Sequence, residues 1–290
     1  MTTQLLIYET AVPVSSGRHA DCSVEAGKQY SFARNVNSVP LMAVEFPNAA
    51  AEYAVVFAGT KDAMMPAVIL GLRGNENLYL SSEGAWQAKY IPAFVRRYPF
   101  VFSNAQDGKT FMLCVDEAFP GFNREGRGQR LFGDDSKPTS YVDNVLKFLQ
   151  EYQAQFQRTQ AFCRKLNELD LIEPMQAQIS MASGERLSLG GFWAVNRAKL
   201  KALPGDKLAE LAKTDELELL YLHIQSMRNF DGLKDRLAVV QGGTPTQEAQ
   251  GGTPTEEAQG SAAKGGAAPK ERESKPKGSA GKSANRAAVD

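Results

Sequence analysis

Residues 139–170 read TSYVDNVLKFLQEYQAQFQRTQAFCRKLNELD. Val142, Val145, Leu146, Leu149, Tyr152, Phe156, Cys163, Leu166 and Leu169 recur there at steps of three, four and seven. That spacing lays one apolar stripe along about eight turns of helix. Thr139 is placed to cap a helix beginning near Ser140, and Pro174 is placed to stop it. A helix of this length with one apolar face needs a broad surface to cover, so the flanking segments decide the fold class.

Upstream, the apolar pattern changes to short runs rich in branched and aromatic residues. They cover 5–9, 53–58, 68–72, 78–81, 98–103 and 110–116, and are bounded by Gly, Asn and Asp. Gly74-Asn75 and Asp107-Gly108 are hairpin signals, because tight turns need the positive φ these residues tolerate. Residues 88–97 suit a short helix with Pro92 in its first turn. Downstream, short strands are expected at 178–181, 186–189 and 192–195, then helices at 197–203, 206–213 and 216–229. The last carries Leu217, Leu220, Tyr221, Ile224 and Met227 on one face. The expectation is an α+β fold: a mainly antiparallel sheet from the N-terminal half, packed by the helix at 140–169 and a C-terminal helical segment.

Composition divides the chain of 290 residues in two. Lys+Arg and Asp+Glu number 33 each, so the net charge is zero, and 43% of residues are hydrophobic. Residues 241–290 hold nine Gly, four Pro and one Val but no Leu, Ile, Met, Phe, Tyr or Trp. They open with a duplication, GGTPTQEAQ at 242–250 followed by GGTPTEEAQ at 251–259. Such a stretch offers too little apolar surface to offset ordering it, so it reads as a disordered tail. One globular domain is expected over 1–240, with 175–238 as a candidate subdomain.

The balanced charge argues against nucleic acid as a partner. The longest apolar runs, 53–58 and 66–70, are far short of the ~20 residues that span a bilayer. The first ten residues, MTTQLLIYET, do not read as a secretory signal peptide. A cytoplasmic location is therefore the default expectation, with surface association through signal-less export as the exception. Cys22, Cys114 and Cys163 are odd in number and widely spaced, which suits reduced thiols. Composition leaves the oligomeric state open.

Several constellations carry candidate chemistry. Arg96-Arg97, between two apolar runs, can grip an anionic ligand or form the polar edge of a short helix. Asp116-Glu117 closes an apolar strand, where carboxylates often serve a site, although adjacent strand residues face opposite ways. His19-Ala20-Asp21 has the His-x-Asp spacing of an iron(II) facial triad, and His223 is the one remaining histidine to complete it. The plain alternative is a surface His19 and a hydrogen-bonded helical His223. Asp134-Asp135 reads as a turn. Ser-x-x-Lys occurs three times, all in the tail, where composition alone generates it. The nucleotide-binding, hydrolase and zinc signatures are absent from the sequence.

The order of short words along the chain is more informative than any one of them. Tyr8-Glu-Thr-Ala-Val-Pro13, Arg18-His-Ala-Asp21, Tyr30-Ser-Phe32, Asn37-Ser-Val-Pro40 and Val44-Glu-Phe-Pro47 come first. Tyr53–Phe57, Tyr98-Pro-Phe-Val-Phe102, Leu113-Cys-Val-Asp-Glu117, Gly190-Gly-Phe-Trp193 and Tyr221-Leu-His223 with Ser226 and Asn229 follow. This order resembles the SapC-like bacterial family over roughly residues 5–235. The resemblance implies an association with bacterial surface layers and no established reaction. The resulting expectation is a non-enzymatic accessory or structural protein that binds a protein or peptide partner and needs no cofactor. Arg96, Arg97, Asp116 and Glu117 are its candidate binding residues. The alternative is an iron(II)/2-oxo-acid oxygenase-like or other small-molecule-modifying enzyme, with Fe held by His19, Asp21 and His223.

Overall fold

The computed structural model describes residues 6–27, 29–104, 110–181, 184, 186–240 and 242. Apart from Gly242, the tail expected to be disordered and its duplication lie outside them, as does the Asp107-Gly108 turn. The described residues belong to one compact unit.

The fold is α+β, with three antiparallel sheets. Strands β1 (Ala11–Pro13), β2 (Ser23–Val24), β3 (Ser38–Pro40), β4 (Val55–Ala58) and β5 (Met65–Ile69) come from the first quarter of the chain. Helices α1 (Ser16–His19), α2 (Phe46–Ala49) and α3 (Ala93–Arg96) are single turns. Then come β6 (Phe100–Asn104), β7 (Phe111–Asp116), β8 (Phe122–Asn123), β9 (Gln129–Arg130), α4 (Ser140–Glu168), β10 (Ile172–Ser180) and β11 (Arg186–Val195). Helices α5 (Arg197–Lys201), α6 (Gly205–Lys213), α7 (Glu216–Ser226) and α8 (Asn229–Val240) close the fold. The sheet orders are β1-β7-β6, β10-β11-β4-β5-β3 and β8-β2-β9.

Helix α4 starts where its sequence predicts. Its buried face comprises Val142, Leu149, Tyr152, Thr159, Phe162, Cys163 and Leu166, packed against both β5 and β6. Thr159 is the one aliphatic hydroxyl on that face. It donates to the Gln155 carbonyl at 2.7 Å and accepts from the Ala43 amide at 2.9 Å, which ties a 3₁₀ turn (Ala43–Glu45) to the helix. Thr139 occupies the cap position, but its hydroxyl donates to Arg130 O at 2.7 Å. Pro174 does not end the helix; it sits in β10, opposite Trp193. Termination falls on Asp170, at φ 51°. Its amide reaches Asn167 O and the Leu171 amide reaches Leu166 O, each at 3.0 Å, the paired bonds of a Schellman cap.

Other expectations shift. Residues 5–9 form no strand in their described part, and β1 begins at Ala11. The 70–80 stretch returns through a loop, not a ladder. The Glu76 carboxylate takes the Leu72 and Arg73 amides there, and only an isolated Leu80–Trp86 bridge follows. The three short downstream strands are one long hairpin, β10–β11, with a bulge between Met175 and Ala177. The helix expected at 216–229 ends at Ser226, and a further helix that was not expected, α8, follows it and buries Phe230, Leu233 and Leu237. Pro92 precedes α3 as its cap residue, and the β6–β7 hairpin pairs from Phe100–Val115 to Asn104–Phe111.

His223, on α7, explains how the central sheet is closed. Strands β11 and β4 pair only at Phe192–Ala58 and Trp193–Phe57. Continuing that register, Ala194 would meet Val56 and Val195 would meet Val55, and the imidazole stands between the last two. Its Nδ1–H donates to Val55 O at 2.8 Å and its Nε2 accepts from Val195 N at 3.0 Å. Ser226 accepts from Val55 N at 3.1 Å, and Asn229 donates to Ala50 O and Tyr53 O, both at 2.8 Å. These side chains supply the partners that a buried strand end requires.

Candidate aromatic cleft

The candidate site is an open cleft in which four separate segments meet. The loop after β2 supplies Glu25, Ala26, Gly27, Gln29, Tyr30, Ser31 and Phe32; α3 supplies Val95 and Arg96; Tyr98 precedes β6; Phe119, Pro120 and Gly121 follow β7. It has two lobes of about 280 and 250 Å3, and Gly27, Gln29, Phe32 and Phe119 line both. Glu25 borders the first lobe and Arg96 the second.

The walls are an aromatic cluster. Phe32 and Tyr98 have ring centroids 4.2 Å apart, and Phe119 stands edge-on to Tyr98 at 5.3 Å and to Phe32 at 6.3 Å. Tyr30 extends the row toward Trp86 at 5.7 Å. Such edge-on pairs are worth about 0.5–1.5 kcal/mol each beyond burial and hold the rings in fixed planes. The Gly121 carbonyl accepts from Glu25 N at 2.9 Å. A Cβ at Gly121 would lie 2.2 Å from Glu25 O and 2.6 Å from the Phe119 ring, so only glycine permits this approach.

Arg96 is exposed, yet fixed. Its Nε donates to Ile91 O at 2.9 Å, and its guanidinium lies 5.4 Å from the Phe148 ring and 5.9 Å from Tyr90. The turn that carries it is held by Glu45. That buried carboxylate accepts from the Ala93 amide, the Tyr90 hydroxyl and the Met42 amide, each at 2.7 Å. Burial raises the Glu45 pKa above the usual carboxylate range, against the opposing effect of these donors.

The remaining sequence candidates lie elsewhere. Arg97 turns inward and is 4% exposed, its guanidinium carbon 4.4 Å from Phe94, 4.8 Å from Tyr152 and 5.6 Å from Tyr8. Asp116 is fully buried. It accepts from the amides of Glu9 (2.7 Å), Thr10 (2.9 Å) and Ala118 (3.0 Å) and from the Tyr98 hydroxyl (3.3 Å), knotting the N-terminal segment to β7. Glu117 faces the other way, paired with both Arg18 nitrogens and 3.1 Å from His19 Nε2. The Arg18 hydrogen bonds hold its pKa below the usual range.

His19, Asp21 and His223 are not brought together. His19 is buried, contrary to the expected surface position, and its Nδ1 accepts from Ser15 N at 3.1 Å while Nε2 meets Glu117. Asp21 pairs with Arg124. Both nitrogens of His223 are spent on β4 and β11. Among the described residues, no three His, Cys, Asp or Glu side chains gather as a metal ion would require. All three cysteines are buried and unbridged. No helix of the described residues is long and apolar enough to cross a membrane.

The family model for SapC matches residues 14–233. The chain belongs to the SapC family. Searches of curated proteins and of solved structures found no match. The SapC match spans both sides of the cleft as well as His19 and His223. Several of the words that carry the sequence resemblance turn out to be internal fastenings: the Tyr8 hydroxyl donates to Phe100 O at 2.7 Å, and Asp116, His223, Ser226 and Asn229 act as described above. Tyr30-Ser-Phe32 enters the cleft, as does Tyr98 at the head of Tyr98-Pro-Phe-Val-Phe102. The aromatic pair of the first word, inside a Gly-flanked loop, was the available sequence signal for the site, together with Phe119-Pro-Gly121 just past a strand.

Proposed function

We propose that this SapC-family chain is a non-enzymatic accessory protein of the bacterial cell surface or surface layer, and that it binds a protein or peptide partner through the aromatic cleft. The cleft itself carries the reading. It presents the half-buried rings of Tyr30 and Phe32, backed by the buried Tyr98 and Phe119, and one anchored guanidinium, whereas the candidate acids and imidazoles are engaged with backbone or with one another. Neither lobe is closed, whereas a small-molecule site buries most of its ligand's surface. That suits the side chains of a polypeptide better than a whole cofactor. A cytoplasmic default, with surface association by signal-less export, belongs to the same proposal and is checked by fractionating producing cells.

The test compares co-purification with the full-length chain and with Gln29→Trp, an exposed position lining both lobes where an indole would fill them. A polypeptide partner recovered with the wild type and reduced at least about tenfold with the variant, at unchanged melting temperature, supports the proposal. Equal recovery overturns it, as does turnover of a substrate that is lost when His19 or His223 is replaced.

A further inference from the structure

Resting on the cleft as the binding site, we infer the chemistry of its occupant: an extended peptide segment with a carboxylate side chain for Arg96, an aromatic or proline ring for Phe32 and Phe119, and a Lys or Arg for Glu25. The two charges border different lobes, and the rings line both. A chain laid along the cleft therefore meets a cation, an apolar saddle and an anion in turn. Because neither lobe is closed, the segment runs through and does not end inside.

The Arg96 end is the better organised. The planar guanidinium fork is shaped to donate two parallel hydrogen bonds to a carboxylate. The Ile91 carbonyl and the Phe148 and Tyr90 rings already restrict it, so little side-chain freedom is lost on binding. It also lies against the Tyr90 hydroxyl, whose proton goes to Glu45. Glu45 itself accepts from Met42, Ala93 and Tyr90, so the contacts that hold Arg96 are a carbonyl and a hydroxyl, and neither neutralises its charge. At the other end Glu25 is exposed, and its amide is held by Gly121 O at 2.9 Å. Between them, the half-buried Phe32, backed by the buried Phe119, offers the surface on which proline and aromatic rings of extended segments dock. Lys28 lies outside the described residues and is left unchanged in the variants below.

The experiment selects a displayed library of random dodecapeptides on the full-length protein. Enriched peptides are then titrated, acetylated and amidated, by fluorescence anisotropy against wild type, Arg96→Gln, Glu25→Gln and Gln29→Trp. The expected peptides carry an acid and a base on either side of an aromatic or proline residue. Arg96→Gln weakens them about tenfold, the effect of losing one charge-assisted pair. Amidating the peptide's acid weakens wild-type binding by the same factor and adds nothing in Arg96→Gln. Glu25→Gln does the same for the peptide's base. Peptides abolished by Gln29→Trp but indifferent to both charge changes overturn the inference and leave the cleft as a binding site. Peptides indifferent to all three variants, or no enrichment at all, overturn the inference and the proposed function together.

Discussion

Acid should weaken this fold in a window set by His223. The imidazole is 1% exposed, and burial pushes its pKa down from 6.5 to about 4, while the hydrogen bond to Val55 O opposes the shift. Between those values the unfolded chain binds a proton that the folded chain refuses. Stability is therefore full above pH 6.5 and is lost as pH falls toward 4. The whole interval of about 2.5 pH units is worth about 3.4 kcal/mol at about 1.36 kcal/mol per unit. Moving from pH 7 to pH 5 takes up about 2 kcal/mol of it, or about 4–8 °C in melting temperature for a domain of this size. Glu45 acts in the opposite sense. Its raised pKa gives a contribution that is present below the unfolded carboxylate value and lost as pH rises through the folded one. Subtracting the behaviour of His223→Gln removes that background. The assay is urea unfolding of wild type and His223→Gln at pH 7 and pH 5. The variant starts weaker, because a buried strand end loses a partner, but its stability changes about 2 kcal/mol less between the two pH values. Equal losses for both proteins refute the clamp. So does an NMR titration of the His223 ring near pH 6.5 in the folded protein, which also covers a variant too unstable to measure.

Three further outcomes follow from the same geometry. Thr159→Val removes the acceptor for the Ala43 amide inside the core and should cost about 1–3 kcal/mol in chemical unfolding, with α4 content by circular dichroism unchanged. Asp116→Ala strands the amides of Glu9, Thr10 and Ala118 and should cost 3 kcal/mol or more by about the same accounting, with faster amide exchange at residues 9 and 10. Gly121→Ala must push the 119–121 turn away from Glu25 O, costing about 1–3 kcal/mol and raising exchange at the Glu25 amide.

The parts of the fold legible in the sequence are those whose signal is local and repeated. The stripe of α4 and the paired apolar runs of β6 and β7 needed no knowledge of the rest of the chain. The missed helix α8 has only Phe230, Leu233 and Leu237 to mark its buried face, with Gly232 among them. The failed hairpin at 70–80 was overruled by one side chain, Glu76, capturing the amides at the turn. Thr159 was invisible as a core position because its worth depends on an amide distant in sequence. The same logic holds for the site. Arg96 could be read as a binding residue from its exposed pairing potential. Arg97 could not be separated from it until the turn rotated the two by about 100° and sent the second inward. Asp116 and Glu117 divided along the strand alternation that their adjacency implied. The cleft rings come from segments almost 90 residues apart, and no spacing rule joins Phe32 to Phe119.

The central claim is that this SapC-family chain works by holding another polypeptide in the aromatic cleft. Site-specific photo-crosslinking in producing cells tests it most directly, with the reactive residue placed at Gln29 in the cleft or at the exposed Gln157 on α4. The account predicts a discrete, protease-sensitive adduct from position 29 that position 157 does not form. Identical patterns from the two positions, or no adduct from position 29, would contradict it.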